Sequence, residues 1–342
     1  MEVKTLKILA IESSCDDTAA AIVENGRKVL VSKVSSQIKQ HKVYGGVVPE
    51  VASRRHIEVI APLVKEVLIE SNFWLNDLDA LAVTYAPGLV GSLLVGVNFA
   101  KGLSIATELP LVPVHHIKAH IASLYLTNID LKPPFLCLVV SGGHSHILEV
   151  KEYTSVKIIG KTRDDAAGEA FDKIGRRLGL NYPGGIELDK IADSGDSNSF
   201  KLPIPLQNED YTYDYSFSGL KTAMINIINN LNQKNEPLPL ENLAASFRKS
   251  VVNHLITNFI KAAKDYEYRT LAIAGGVSAN SLLRKTLEIE CKKRNFKFFK
   301  PDIEYCGDNA AMVASQAYFE FLSGKRADLS LNALASMPID LD

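Results

Sequence analysis

Two stretches of the chain carry the same order of apolar and polar positions. Residues 7–36, KILAIESSCDDTAAAIVENGRKVLVSKVSS, read as an apolar run, a tight polar turn, a second apolar run, a turn at Asn25-Gly26 and a third run. Residues 135–162, FLCLVVSGGHSHILEVKEYTSVKIIGKT, repeat that order, with Ser141-Gly142-Gly143-His144 as the tight turn. Apolar runs of this length between turn residues predict strands, so each stretch predicts a three-stranded meander. After the first, the apolar spacing of 52–73 predicts a helix and 78–84 a buried strand. Two meanders that each feed β/α units predict an α/β protein of two related lobes with a cleft between them; a chance pair of hairpins is the alternative.

Between the second meander and an apolar strand at 270–274, residues of about 167–266 read as helices broken by Pro-, Gly- and Asp-rich loops, a helical insertion in the second lobe. A last helix over 309–322 is expected to return to the first lobe, and the tail after Ser323 to be loose. The expected division is 1–110 plus 309–325 for the first lobe and 111–308 for the second.

Composition narrows this picture. A chain of 342 residues, 46% hydrophobic, builds two domains with ordinary cores. Lys and Arg number 38 against 39 Asp and Glu, a net charge of -1, so a stand-alone nucleic-acid binder is excluded and any RNA contact must be local or shared. Four scattered cysteines without a C-x-x-C pair form neither a disulfide framework nor a zinc cluster, which fits a reducing, cytoplasmic setting. No secretory or transit segment is expected at the N-terminus. Residues 80–100 are uncharged, but Pro87-Gly88, Gly91, Gly96 and Asn98 divide them into strand, turn and helix rather than a membrane span.

Candidate chemistry sits at the strand ends. Ser13-Ser14-Cys15-Asp16-Asp17-Thr18 and Val140-Ser141-Gly142-Gly143-His144 are turns whose backbone N–H groups can converge on phosphate oxygens, although small polar residues at a hairpin tip also serve the turn alone. Gly275-Gly276-Val277-Ser278-Ala279-Asn280 links a strand to a helix and offers close backbone approach; a plain turn with Ser278 or Asn280 as helix cap is the other reading. The similar loop Pro87–Ser92 is read as structural. In His115-His116-Ile117-Lys118-Ala119-His120, His116 and His120 stand one helical turn apart, where two imidazoles bind one divalent ion. Ile117 occupies the place of the Glu that a zinc peptidase of the H-E-x-x-H type requires, so peptide hydrolysis by that route is excluded. Asp308, before the last helix, is the candidate third ligand, with helix capping as its alternative role. In the acid-rich run from Asp164, Asp172 lies beyond the first helical turn and is a candidate for ligand hydroxyls; Asp189, after the turn Tyr182-Pro183-Gly184-Gly185, is a further candidate against a solvated-surface role. Glu12 and Asp16 are read mainly as strand-end and turn residues, with orienting water or an attacking amine as the alternative role.

The segments IESSCDDTAAAIV, YGGVVPEVASRRH, PGLVGSLLVG, PVHHIKAH, VVSGGH, DDAAGEAFDKIGRRLGLNYPGG, DYSFSGLKTA, AGGVSAN and CGDNAAMVA, in this order over nearly the whole chain, closely resemble the tRNA N6-adenosine threonylcarbamoyltransferases, the TsaD family once labelled O-sialoglycoprotein endopeptidases, in its bacterial and organellar form. The resemblance implies an actin-like (ASKHA, ribonuclease H-like) fold and an acyltransferase. Its reaction would move a threonylcarbamoyl group from threonylcarbamoyl-adenylate to N6 of the adenosine beside the anticodon, position 37, in tRNAs reading codons that start with A. It further implies one iron or zinc ion per subunit on His116, His120 and Asp308. Val139, Val140, Ser141, Gly142, Gly143, Asp172, Gly185, Asp189 and Asn280 would bind the adenylate, an ATP-type nucleotide. Archaeal and eukaryotic relatives place a metal-binding Tyr where Val139 stands, and Asp189 falls where members vary. Implied partners are tRNA, a TsaB-like paralogue, a TsaE-like small ATPase and an upstream adenylate-forming enzyme, with no membrane. The helix over 52–73 is a candidate face for the paralogue. A different ATP-dependent enzyme of the same fold, such as a kinase or another carbamoyltransferase, and a non-catalytic nucleotide-binding scaffold are the competing readings.

Overall fold

Strand β1 (Lys7–Glu12) is buried along almost its whole length, and its alternating side chains serve two different cores. Leu9 and Ile11 join one apolar cluster while Ile8 and Ala10 join another, as expected of a sheet strand covered on both faces. The structure, a computed structural model, describes residues 5–206 and 213–340; residues 207–212 of the expected helical insertion, and 1–4, lie outside the described residues.

The chain forms two units. The first comprises Met1–Pro133, Lys151–Val156 and Pro301–Asp342. Its elements are β1, β2 (Asp17–Glu24), β3 (Lys28–Ser36), α1 (Ile38–Lys42), α2 (Pro49–Ser71), β4 (Ala80–Ala86), α3 (Val90–Thr107), β5 (Leu111–His115) and α4 (His116–Thr127), closed by the last helix, α10 (Ala310–Leu322). The sheet order is β3-β2-β1-β4-β5, with β1 antiparallel to β2 and parallel to β4. On one face Ile60, Val64 and Val67 of α2 and Val97 and Ala100 of α3 meet Leu9, Ile11 and Val83; on the other, the alanine-rich face of α10 meets Ile8, Ala10 and Val112. Among the described residues α3 is long and apolar enough to cross a membrane. Its Val97 and Ala100 nevertheless belong to this core.

The second unit comprises Pro134–Val150 and Lys157–Lys300. Strands β6 (Phe135–Val140), β7 (Ser145–Val150) and β8 (Val156–Lys161) form the second meander. Helices α5 (Ala167–Arg177), α6 (Gly184–Ile191), α7 (Ser218–Gln233) and α8 (Leu240–Asp265) follow, then β9 (Thr270–Ala274), α9 (Ser281–Lys293) and β10 (Lys297–Phe299). Read from β8, the order is β8-β7-β6-β9-β10, element for element the order of the first sheet. The repeated sequence pattern is thus a repeated topology.

Two expectations differ from the structure. The first unit extends to residue 133 and takes 301–308 as well, because β5 pairs in register with β4 and the helix after it packs on α10. The sequence division at 110/111 cut between two strands of one sheet. The tail after Ser323 is not loose. Ala327 N–H bonds Leu111 O, Leu334 N–H bonds Tyr85 O, Ala335 O accepts from Gly88 N–H, and Ile339 is buried. These bonds occupy backbone groups of β5, of β4 and of the loop after β4.

A candidate metal centre and a candidate nucleotide site

The apolar strand β5 ends at His115, whose imidazole accepts from Ile117 N–H and so starts α4. His116 and His120 then lie one turn apart, with ring centroids 4.6 Å apart. Asp308 reaches them from the loop before α10. Asn309, not Asp308, caps that helix, accepting from Met312 N–H at 2.9 Å, which leaves the Asp308 carboxylate to turn toward the histidines. Its Oδ1 lies 3.2 Å from His120 Nε2 and 3.6 Å from His116 Nε2. One ligand atom from each of the three lies within 4.8 Å of the others, the spread expected of donors around a single cation.

The surroundings fit an ion. His120 is buried, and among the described residues neither of its ring nitrogens makes a hydrogen bond of good geometry, the Asp308 contact included, which is costly unless something else engages them. His116 is oriented by Glu12, a residue read from sequence mainly as a strand end. Its Nδ1–H donates to Glu12 Oε2 at 3.3 Å, and Ser14 Oγ lies 3.2 Å from the same nitrogen. With Nδ1–H committed to Glu12, Nε2 is the ring atom left to face Asp308, where a bound ion would take the place of its proton. Glu12 is itself held: Oε1 accepts from Ser14 N–H at 2.6 Å and Oε2 from Thr84 Oγ1–H at 2.6 Å. Burial opposes protonation of His116, but the carboxylates of Asp308 and Glu12 outweigh it and hold the imidazole up at about 9. Two negative groups beside a buried imidazole attract a positive charge, and a divalent ion supplies it on the ligand side. No local pattern links Glu12 to His116, which are 104 positions apart; only pairing of β1 with β4 and of β4 with β5 brings them together.

In the second unit the expected nucleotide residues form a chain of contacts. Ser141 and His144 close the tight turn on each other, Ser141 N–H to His144 O at 2.8 Å and His144 N–H to Ser141 Oγ at 3.2 Å, leaving Gly142 and Gly143 exposed at its tip. Val139 and Val140 are buried strand residues, so only their backbone is available to a ligand. Helix α5 approaches this turn so closely that a Cβ at Gly168 would lie 2.5 Å from Ser141 O. On the other side, Gly275 at φ +88° would place a Cβ 2.5 Å from Val140 O, so both positions exclude a side chain. From α5, Asp172 Oδ1 accepts from Gly185 N–H at 2.8 Å, fixing the start of α6.

Asp189 and Asn280 meet directly. Asp189 Oδ1 accepts from Asn280 Nδ2–H at 2.8 Å and from Arg248 at 2.8 Å, and its Oδ2 accepts from Ser281 N–H at 2.9 Å. Asn280 caps α9 through Leu283 N–H at 3.0 Å. The Asp189 carboxylate is therefore engaged by protein donors on both oxygens, and its evident work is to join α6, α8 and α9 and to orient Asn280. Ser278, in the same loop, keeps a buried hydroxyl without a hydrogen-bond partner among the described residues. The acid run before α5 has a separate role: Asp164 accepts from Phe217 and Ser218 N–H and from the hydroxyls of Ser216 and Ser218, closing the start of α7.

The sequence profile described as TsaD: tRNA N6-adenosine threonylcarbamoyltransferase matches residues 28–315. Proteins of that name from Clostridium botulinum (strain 657 / Type Ba4) and Clostridium novyi (strain NT) are each 52% identical over 336 residues, with 98% of both chains covered. Among solved structures, T. kodakarensis HypF superposes with a TM-score of 0.64 at 16% identity, over 93% of this chain and 48% of that one. The activator component A of the Acidaminococcus fermentans (R)-2-hydroxyglutaryl-CoA dehydratase gives 0.54 at 13% identity, over 92% and 98%. These two likenesses carry the fold alone, two actin-like α/β lobes. The sequence likeness covers every residue of the His/His/Asp cluster and of the contact chain in the second unit, and the chain belongs to the tRNA N6-adenosine threonylcarbamoyltransferase family.

Proposed function

We propose that this chain transfers the threonylcarbamoyl group from threonylcarbamoyl-adenylate to N6 of adenosine 37 in tRNAs reading codons that begin with A. The observation that carries the mechanism is the convergence of His116, His120 and Asp308 beside a Glu12-oriented imidazole. His116 and His120 through Nε2, with Asp308 through Oδ1, would hold one iron or zinc ion. Such an ion, when bound, polarises the carbamoyl carbonyl and opposes the negative charge that develops there. The mixed carbamate–phosphate anhydride already contains a good leaving group, AMP, so no nucleophilic side chain is required; the adenosine amine attacks directly.

The second unit supplies the nucleotide contacts in this reading. Gly142 and Gly143 offer backbone N–H groups to phosphate oxygens, and Asp172, Gly185 and Asn280 receive the nucleoside. In this reading Asp189, expected from the sequence to bind the adenylate, acts through Asn280, a role supported by the protein donors on both of its oxygens. Val139 contributes backbone only. A cytoplasmic setting, a TsaB-like paralogue, a TsaE-like small ATPase and an upstream adenylate-forming enzyme complete the proposal.

The test is incubation of tRNA with threonine, bicarbonate, ATP and the adenylate-forming enzyme, with and without this chain and its partners, followed by nucleoside analysis. Threonylcarbamoyladenosine should appear only with the chain, and should vanish with His116→Ala or His120→Ala. Modified nucleoside at an unchanged rate from metal-free double-variant protein would refute the metal's role.

A further inference from the structure

The segment from α1 to the first turns of α2 stands out in a nearly neutral chain. Over residues 37–55 it carries Lys39, Lys42, Arg54 and Arg55 against one acid, Glu50. Lys39, Lys42 and Arg54 are exposed, and the first two stand three positions apart on one turn of α1. Between them and α2 the chain reverses at Gly45, φ +70°, and presents Tyr44 at 60% exposure. An exposed aromatic flanked by cations matches what single-stranded nucleic acid asks of a protein: a ring on which a base stacks and charges that meet phosphates.

The base of this segment is tied to the turn whose Ser14 contacts His116 of the candidate metal centre. Gln37 N–H bonds Asp16 O at 3.2 Å, and His56 Nε2–H bonds Cys15 O at 2.9 Å. His56 Nδ1 accepts from Thr18 Oγ1–H at 2.7 Å. His41 Nδ1 accepts from Val48 N–H at 3.3 Å, closing the reversal. Ser14, next to Cys15, touches His116. Among the described residues, Asp17 Oδ1, Gln37 Oε1 and His41 Nε2 at this seat are buried without hydrogen-bond partners.

We infer that this basic, Tyr44-tipped segment is the docking surface for the single-stranded anticodon loop of the RNA substrate. Lys39, Lys42 and Arg54 take phosphates and Tyr44 stacks on a base, which brings the loop to the turn that orients His116. The inference rests on the proposed tRNA-modifying function and adds where the RNA is held.

The experiment is steady-state kinetics of the fully reconstituted modification reaction. The combined variant Lys39→Gln, Lys42→Gln, Arg54→Gln should raise KM for tRNA about tenfold or more, leave KM for the adenylate and metal content unchanged, and flatten the salt dependence of kcat/KM for tRNA by about 2 in log–log slope, at ~0.7 per lost phosphate contact. Tyr44→Ala should raise KM for tRNA about tenfold, and Tyr44→Phe should behave as the parent. An unchanged KM for tRNA and an unchanged salt slope would overturn the assignment. So would loss of kcat alone, or of bound metal, which would make the segment a partner contact or a structural seat. Neutralising Lys201, Lys249 and Lys261, which line a cavity of about 760 Å³ along α8, gives a rival location for the RNA; a raised KM there with none from the loop variants also defeats it. Failure of the parent chain to modify tRNA at all would refute the functional reading instead.

Discussion

Asp308 illustrates how one residue's role depends on its neighbour. Because Asn309 takes the cap of α10, the carboxylate before it is released to the histidines. Asp308→Asn keeps the shape and removes the charge, and should lower metal stoichiometry measured by elemental analysis with little change in melting temperature of the metal-free protein. Glu12 acts one step further out. Glu12→Gln leaves His116 in place but weakens its orientation, and is expected to cost about 10–100-fold in metal affinity, as outer-shell partners commonly do; titration of the apo-protein with zinc checks it, and an unaltered affinity would assign Glu12 to the strand end alone. His254 is a different case, buried in the second unit, where its Nε2 accepts from Ser216 N–H. Burial lowers its pKa to about 4, with Asp164 opposing. Since the folded value lies below the unfolded one, its contribution to stability is complete above about pH 6.5 and is lost as pH falls toward 4. His254→Gln should flatten the decline of melting temperature over that window, and an unaltered decline would place its origin elsewhere.

Arg248 shows how helices distant in sequence become one element of the site. It reaches Asp189 from α8 at 2.8 Å and Asp193 at 2.7 Å, with its own side chain nearly buried. Arg248→Ala leaves the Asp189 charge without its main cation and should destabilise the protein by about 3 kcal/mol, the scale for breaking a buried pair. Denaturant unfolding measures this, and the nucleotide affinity should fall with it as Asn280 loses its fixed partner. Arg248→Lys replaces a forked donor with a point charge and should recover only part of the effect. The helices here were legible from apolar spacing and their ends from Gly and Pro. Their mutual clamps were not, because a carboxylate at 189 and a guanidinium at 248 carry no mark of which partner each will find.

At the scale of the molecule, the candidate metal ligands and their supports all belong to the first unit, joining β1, β4, β5, α4 and the approach to α10. A bound ion stabilises only the states that bind it, by RT ln(1 + [L]/Kd), or about 2.7 kcal/mol at a hundredfold excess over Kd. Chelation should therefore raise amide exchange in those segments and leave β6, β9 and α8 as they were; uniform loosening of both units would contradict this local assignment. The doubled meander, the helical insertion and the histidine pair could be read from the chain, because period, turn chemistry and one-turn spacing are local properties written in neighbouring residues. The family could be read too, from motifs in a particular order. Which strands share a sheet, and hence that residues 111–133 belong with the first unit, required the pairing of β5 with β4. The docked tail, the Glu12–His116 bond and the engagement of Asp189 likewise arise from contacts between residues far apart in sequence. Such contacts depend on which backbone and side-chain groups remain unpaired once the elements have packed, and that is known only after folding.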